Sequence, residues 1–208
     1  MLSLWGIPTP RGGVATSASA ARALAARLRP PLALKVVARE LLHKSDAGGV
    51  ELGVVGDDAE RLYGQIIGRV LEKSPGLAVE GVLIEEMVSS PIEVVASVSH
   101  NPQLGLVLMA GMGGRWVEIL RDVSFRLVPV DRDDVVEMVR DLRAAPLLAG
   151  ARGSPAVNEE ALFQALAGLS EFAQEFTEEI FEVEINPMAV SPDGVSAVDA
   201  VILLRSET

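Results

Sequence analysis

The sequence predicts an α+β fold with partly antiparallel sheets, and three observations carry that expectation. Apolar runs of strand character alternate with amphipathic helical stretches along the whole chain. Successive β-runs, such as 82–88 and 92–99, are joined by linkers far shorter than the roughly dozen residues a parallel crossover needs. The 208 residues suffice for one large domain or for two small lobes sharing a core. The short linkers argue against a doubly wound nucleotide-binding sheet.

The elements follow in order. Residues 19–29 read as a helix with Ala21, Leu24, Ala25 and Leu28 on one stripe, ended by Pro30-Pro31. Residues 32–37 are a strand whose apolar run is broken only by Lys35. Asp57 is placed to cap a helix carrying the stripe Leu62, Tyr63, Ile66, Ile67, Val70 and Leu71. Strands are expected over 82–88 and 92–99, separated by Ser89-Ser90-Pro91, then over 104–110 and 123–128. Asp131 should cap a helix through Leu142, residues 144–156 read as loop, and Asn158 should cap the longest helix, to about Phe176. Strands over 180–190 and 195–203 flank the turn Ser191-Pro192-Asp193-Gly194.

Composition narrows the function. The chain is 49% apolar and 23% charged, which suits a packed globule and not a disordered one. A net charge of −11 argues against nucleic acid, whose backbone requires a basic face. With no cysteine, disulfides and thiolate metal sites are excluded. No stretch has the length and apolarity of a membrane span, and the first residues lack the features of a signal peptide. A cytoplasmic protein with neither nucleic-acid nor membrane partners is the expectation.

The richest segment is 35–50, where Lys35 in its apolar strand is followed by His43, Lys44 and Gly48-Gly49. Lysine is rarely buried without a partner, and glycines let backbone amides approach an anion. The chain has only three lysines, Lys35, Lys44 and Lys73, against many arginines, and two fall in this segment. A compact ammonium on a flexible stem serves phosphate as a point charge. Alternatively, Lys35 guards an edge strand. His43 beside a phosphate is able to accept a phosphoryl group covalently or merely to hydrogen-bond it, while His100, in His-Asn-Pro, reads as surface.

Other constellations are weaker or later in the chain. Glu85-Glu86-Met87-Val88 ends one strand and Glu93 begins the next, an arrangement that offers backbone groups to a flat base and a carboxylate to ribose; two solvated glutamates are the alternative. In residues 180–186, period-two alternation puts Glu182, Glu184 and Asn186 on one face and Phe181, Val183 and Ile185 on the other. Asp199 interrupts an apolar run, and a four-residue turn at 191–194 sets it opposite Asn186 on one face. Two or three oxygens completed by phosphate and water is a common way to hold Mg²⁺. Gly111-Met112-Gly113-Gly114, followed by Glu118, Arg121, Asp122 and Arg126, is a glycine cluster or simply a tight turn.

Taken in order, these residues resemble the ATP-grasp domain of the ADP-forming acyl-CoA synthetases, relatives of the succinyl-CoA synthetase β-subunit. The resemblance is carried by 5–8 (Trp-Gly-Ile-Pro), Leu34-Lys35, 42–50 (Leu-His-Lys-Ser-Asp-Ala-Gly-Gly-Val), 81–88, 111–114, 122–126, 151–153, 184–187 and 197–200, which span nearly the whole chain. It implies one ATP-grasp domain over 1–208, with lobe 1 at about 14–88 and lobe 2 at about 89–208, the two gripping nucleotide between their sheets. It implies that Lys35, Gly48 and Gly49 serve the ATP phosphates, that Glu86, Met87 and Val88 form the adenine hinge, and that Glu93 meets the ribose. Asn186 and Asp199, with Glu184, would hold Mg²⁺, and His43 would relay phosphate to a phosphohistidine on a CoA-binding α-subunit. The acid and CoA would bind through that partner.

Some positions depart from the family pattern. Glu85 stands where the family often has glutamine, and Asn101 and Leu104 replace the usual aspartate and phenylalanine. The helix expected ahead of Trp5 has no counterpart, so a truncated start is expected. Besides the ligase subunit, the resemblance admits a nucleotide-binding regulatory module partnered with an acetyltransferase, or a degenerate module without activity; the intact set Lys35, His43, Asn186 and Asp199 speaks against the last.

Overall fold

In the computed structural model, residues 1–41, 43–90, 92–113, 121–150 and 155–205 are described. The chain divides into two compact units, Pro10–Met87 and Met1–Thr9 with Val88–Thr208.

The smaller unit is a four-stranded sheet with two helices. Strands β1 (Gly12–Ala15), β2 (Leu32–Val37), β3 (Val50–Val54) and β4 (Gly81–Glu86) lie in the order β1-β4-β2-β3. All three pairings are antiparallel. Helix α1 (Ala18–Ala25) begins at Ser17, whose side chain accepts the Ala20 N–H at 3.1 Å. Helix α2 (Ala59–Lys73) follows a 3-10 turn at Gly56–Asp58, so Asp57 lies inside that turn and Asp58 is the residue before the helix. The helices bury Ala21, Ala25, Ile66 and Val70 against Leu32, Leu34, Val36, Val82 and Ile84 of the sheet. At the usual value for apolar burial, each of these larger side chains contributes about 1.5–3 kcal/mol. β2 has neighbours on both sides, which removes the edge-strand explanation for Lys35.

The larger unit carries a six-stranded sheet. β5 (Ile92–Asn101), β6 (Gly105–Met112), β7 (Val123–Leu127), β8 (Ile180–Ser191) and β10 (Ala200–Leu204) lie in the order β10-β8-β5-β6-β7, and β9 (Gly194–Ala197) also pairs with β8. Every pairing is again antiparallel. β5 runs through His100, which pairs with Leu106 and is half-buried; it does not open a surface turn. Helix α3 (Arg132–Arg140) starts at a capping box between Asp131 and Asp134. A one-turn helix, α4 (Ala145–Leu148), occupies part of the stretch expected to be loop. Helix α5 (Glu159–Glu175) is capped by Asn158, which accepts the Ala161 N–H at 3.0 Å.

Val135, Met138 and Val139 of α3 and Leu162, Leu166, Leu169 and Phe172 of α5 bury the sheet residues Val94, Ala96, Val98, Leu108, Ala110, Val183 and Ile185. Arg132 donates to Glu160 at 2.7 Å across the two helix starts. That hydrogen bond holds the Glu160 carboxyl below its ordinary range and the Arg132 guanidinium above its own. Met1–Thr9 joins this unit through Trp5, whose ring meets Phe172 and Phe176 edge-on at 6.1 and 6.3 Å.

Candidate functional site

In the smaller unit, Lys35 sits in β2 opposite Leu83 of β4 and Val50 of β3, with 5% of its surface exposed. Its ammonium donates to a carboxylate oxygen of Glu85, which is equally buried. Glu85 lies opposite Ala33 and Gly12, two residue pairs along the ladder from Lys35 and therefore on the same sheet face. The idea that Glu85 and Glu86 are two solvated glutamates therefore fails for Glu85. Sequence reasoning set it aside as a departure from glutamine; alternation in β4 aligned Leu83 with Glu85, but nothing in the sequence supplied the register against Lys35.

The segment after β2 is a compact turn. Lys44 and Ser45 offer their carbonyls to the N–H groups of Gly49 (2.8 Å) and Gly48 (3.0 Å), and the Gly49 carbonyl accepts the Val36 N–H at 2.8 Å. Gly48 has φ +73°, a conformation that side chains resist, and a Cβ on Gly49 would lie 2.4 Å from Val36 Cγ1. Both glycines are thus required by the backbone path, and the turn is tied to the strand residue next to Lys35. His43 opens this turn and is exposed.

The residues expected at the adenine hinge are partly committed. The Glu86 N–H donates to Arg11 O at 2.9 Å and the Met87 N–H to Pro31 O at 3.0 Å. The Glu86 carboxylate accepts the Arg29 N–H at 3.0 Å, and Met87 Sδ takes the Gly53 N–H at 3.0 Å.

In the larger unit, the last strands have the register read from the sequence. Met188 faces Ala197, Ile185 faces Ala200 and Glu184 faces Val201. One unbroken register therefore sets Asn186 opposite Asp199, and the Asn186 N–H donates to Asp199 O at 3.0 Å. Asn186 Nδ2 donates to Glu184 Oε1 at 3.1 Å, and Asp199 Oδ1 accepts the Ala200 N–H at 3.0 Å. Glu184, Asn186 and Asp199 form one oxygen-rich group, with buried Ser97 beside Glu184 on β5. No three His, Asp or Glu residues gather as a metal cage among the described residues. Two carboxylates and an amide suit a cation such as Mg²⁺ that keeps water and phosphate in its shell.

Glu93 is exposed on β5 opposite Ala189, and its carbonyl takes the Gly113 N–H at 2.7 Å. Phe181 is a correction: the β8–β10 register shifts beside it, so Ile180 turns into the core and Phe181 is exposed, off the Val183–Ile185 face. Asp122 and Arg126 have structural partners. Asp122 accepts the N–H groups of Arg143 and Ala144 at 2.8 and 2.9 Å, and Arg126 pairs with Asp141 at 2.8 Å. Gly114, Glu118 and residues 151–153 lie outside the described residues.

The profile described as ATP-grasp domain matches residues 1–204. The chain belongs to the ATP-grasp family. This ATP-grasp chain is 38% identical to the acetate–CoA ligase [ADP-forming] I subunit beta of Pyrococcus furiosus, over 98% of its own length and 88% of that protein's. It superposes with a TM-score of 0.93, at 35% identity, on an acetyl-coenzyme A synthetase 1 of Ca. Korarchaeum cryptofilum in complex with coenzyme A and Ca-AMPCP, covering 98% of this chain and 89% of that one. A second structure from that organism, with Mg-AMPPCP and a phosphohistidine segment pointing towards the nucleotide-binding site, matches at a TM-score of 0.81 and 32% identity, covering 98% and 88%. The ATP-grasp fold accounts for the α+β class and the antiparallel sheets.

Proposed function

We propose that this chain is the nucleotide-handling β-subunit of an ADP-forming acyl-CoA synthetase, interconverting acyl-CoA + ADP + phosphate with carboxylic acid + CoA + ATP. The observation that carries the reading is the buried Lys35–Glu85 pair at the centre of the smaller sheet, beside a turn bearing His43. Glu85 supplies the anion that a buried ammonium requires, and the pair holds that ammonium in the strand to which the turn is tied. Likeness to a ligase β-subunit over nearly the whole chain favours the ligase over a regulatory module. The same likeness favours a separate CoA-binding α-subunit as the partner.

In this reading Lys35 neutralises nucleotide phosphate, and the Gly48-Gly49 turn brings backbone close to it. Glu86, Met87 and Val88 border the adenine, and Glu93 receives ribose hydroxyls. Glu184, Asn186 and Asp199 hold Mg²⁺, which supplies charge neutralisation on the phosphate oxygens when bound. His43 accepts the γ-phosphoryl group: the bond to the ADP oxygen breaks, a P–N bond to the imidazole forms, and ADP leaves. The group then passes to the partner's histidine. Among the described residues no helix is long and apolar enough to cross a membrane. The test is ATP-dependent CoA-thioester formation by the chain with a CoA-binding partner across a panel of carboxylic acids. Product that requires both proteins supports the proposal, and ATP turnover without thioester for any acid contradicts it.

A further inference from the structure

The turn that carries His43 is held from below by helix α2. Its successive carbonyls are taken in different ways: His43 O by the Ala47 N–H at 3.4 Å, Lys44 O by Gly49 at 2.8 Å and Ser45 O by Gly48 at 3.0 Å. Asp46 O is taken by a side chain, Lys73 Nζ at 2.8 Å, from the last residue of α2. One helical turn earlier, Arg69 faces the same place. A Cβ at Gly48 would lie 3.7 Å from Arg69 Cβ and 3.9 Å from Lys73 Nζ. Arg69 is itself fixed by Glu51 of β3 at 2.8 Å.

We infer that Lys73 is a positioning residue for the His43 turn, acting through the Asp46 carbonyl; the inference rests on the reading of that turn as the phosphate-handling segment. The Gly49 carbonyl pins one end of the turn to β2, and Lys73 pins its middle to α2. Without the ammonium, the Asp46 carbonyl loses a charge-assisted bond and the peptide units on either side regain freedom. A lysine serving only as a cation at a helix C-terminus would need no such partner and would be replaceable by arginine. This chain uses arginine almost everywhere else. A compact ammonium meets the single Asp46 carbonyl as a point charge, where a planar fork is shaped for two acceptors.

Lys73→Met in the full chain separates these roles, because Lys73 is exposed and its loss leaves the core intact. Hydrogen exchange should speed up by about threefold or more in the peptide spanning 43–49 and stay unchanged in the buried part of α2. In the reconstituted complex, kcat should fall about tenfold while Mg-ATP affinity stays within about twofold, since the loss is one of geometry at the reacting group. Unchanged exchange in 43–49 overturns the tether. Faster exchange with unchanged kcat overturns the positioning role, and weakened Mg-ATP binding with normal kcat would mean that Lys73 touches phosphate directly. Should the unmodified complex form no thioester, the ligase reading fails by itself, and the exchange result still decides whether Lys73 holds the turn.

Discussion

Lys35 and Glu85 show how much a single residue's meaning depends on its partner. Breaking a buried ion pair by removing one member costs up to about 3–5 kcal/mol, because the other charge stays buried. Lys35→Ala alone is therefore expected to destabilise the protein and to confuse any binding measurement. The double variant Lys35→Met/Glu85→Gln removes both charges and should regain most of that stability in chemical denaturation. Its Mg-ATP affinity in calorimetry should nevertheless be weaker by about 10- to 100-fold, the worth of a charge-assisted contact to phosphate. Affinity equal to the parent's would remove Lys35 from the nucleotide site. His43 poses a different question, whether it relays the phosphoryl group or only binds it. If it relays, His43→Ala should cut saturated turnover of the reconstituted complex by at least about a hundredfold with little change in ATP affinity. Near-normal saturated turnover would assign it to binding.

At the scale of elements, the legible parts were those with local chemistry. Asp131 and Asn158 announced their helices because a side-chain acceptor just ahead of an apolar stripe has few other uses. The terminal hairpin was readable because Ser191-Pro192-Asp193-Gly194 sets the register, and register alone brings Asn186 to Asp199. What escaped depended on distant partners. β1 and β3 are short, glycine-containing edge strands of four and five residues, too brief for a pattern to stand out. The irregularity near Leu203 that turns Phe181 outward lies in the pairing and not in either strand alone. Lys73 stood only as one of three lysines, because its partner, the Asp46 carbonyl, is 27 residues away in sequence. The packing of Met1–Thr9 is equally non-local: a Cβ on Gly168 of α5 would sit 2.0 Å from the Trp5 carbonyl oxygen. Gly168→Ala should therefore lower stability by about 1–3 kcal/mol, read as a reduced denaturation midpoint. A midpoint equal to the parent's would show that the Trp5 segment is not held against this helix.

For the whole molecule, fold and site differ in how they were specified. The antiparallel α+β plan followed from linker lengths, and the order of short motifs along the chain pointed to ATP-grasp before any contact was known. The site was legible as residue types, Lys35, His43, Asn186 and Asp199, but its supporting groups, Glu85 above all, emerged only from cross-strand contacts. Division of labour is the other property at this scale. If, as proposed, CoA binds through a partner, the isolated chain should form no acyl-CoA from ATP, acid and CoA, and thioester made by the purified chain alone would contradict the assignment of a partner.

The most direct test of the account follows phosphate. The chain is mixed with a CoA-binding partner, Mg²⁺ and ATP labelled at the γ position, and label on the partner is measured before and after mild acid, which cleaves phosphohistidine. The account predicts acid-labile label on the partner that requires this chain and is lost with His43→Ala. Nucleotide bound by the chain with no label reaching the partner would contradict it.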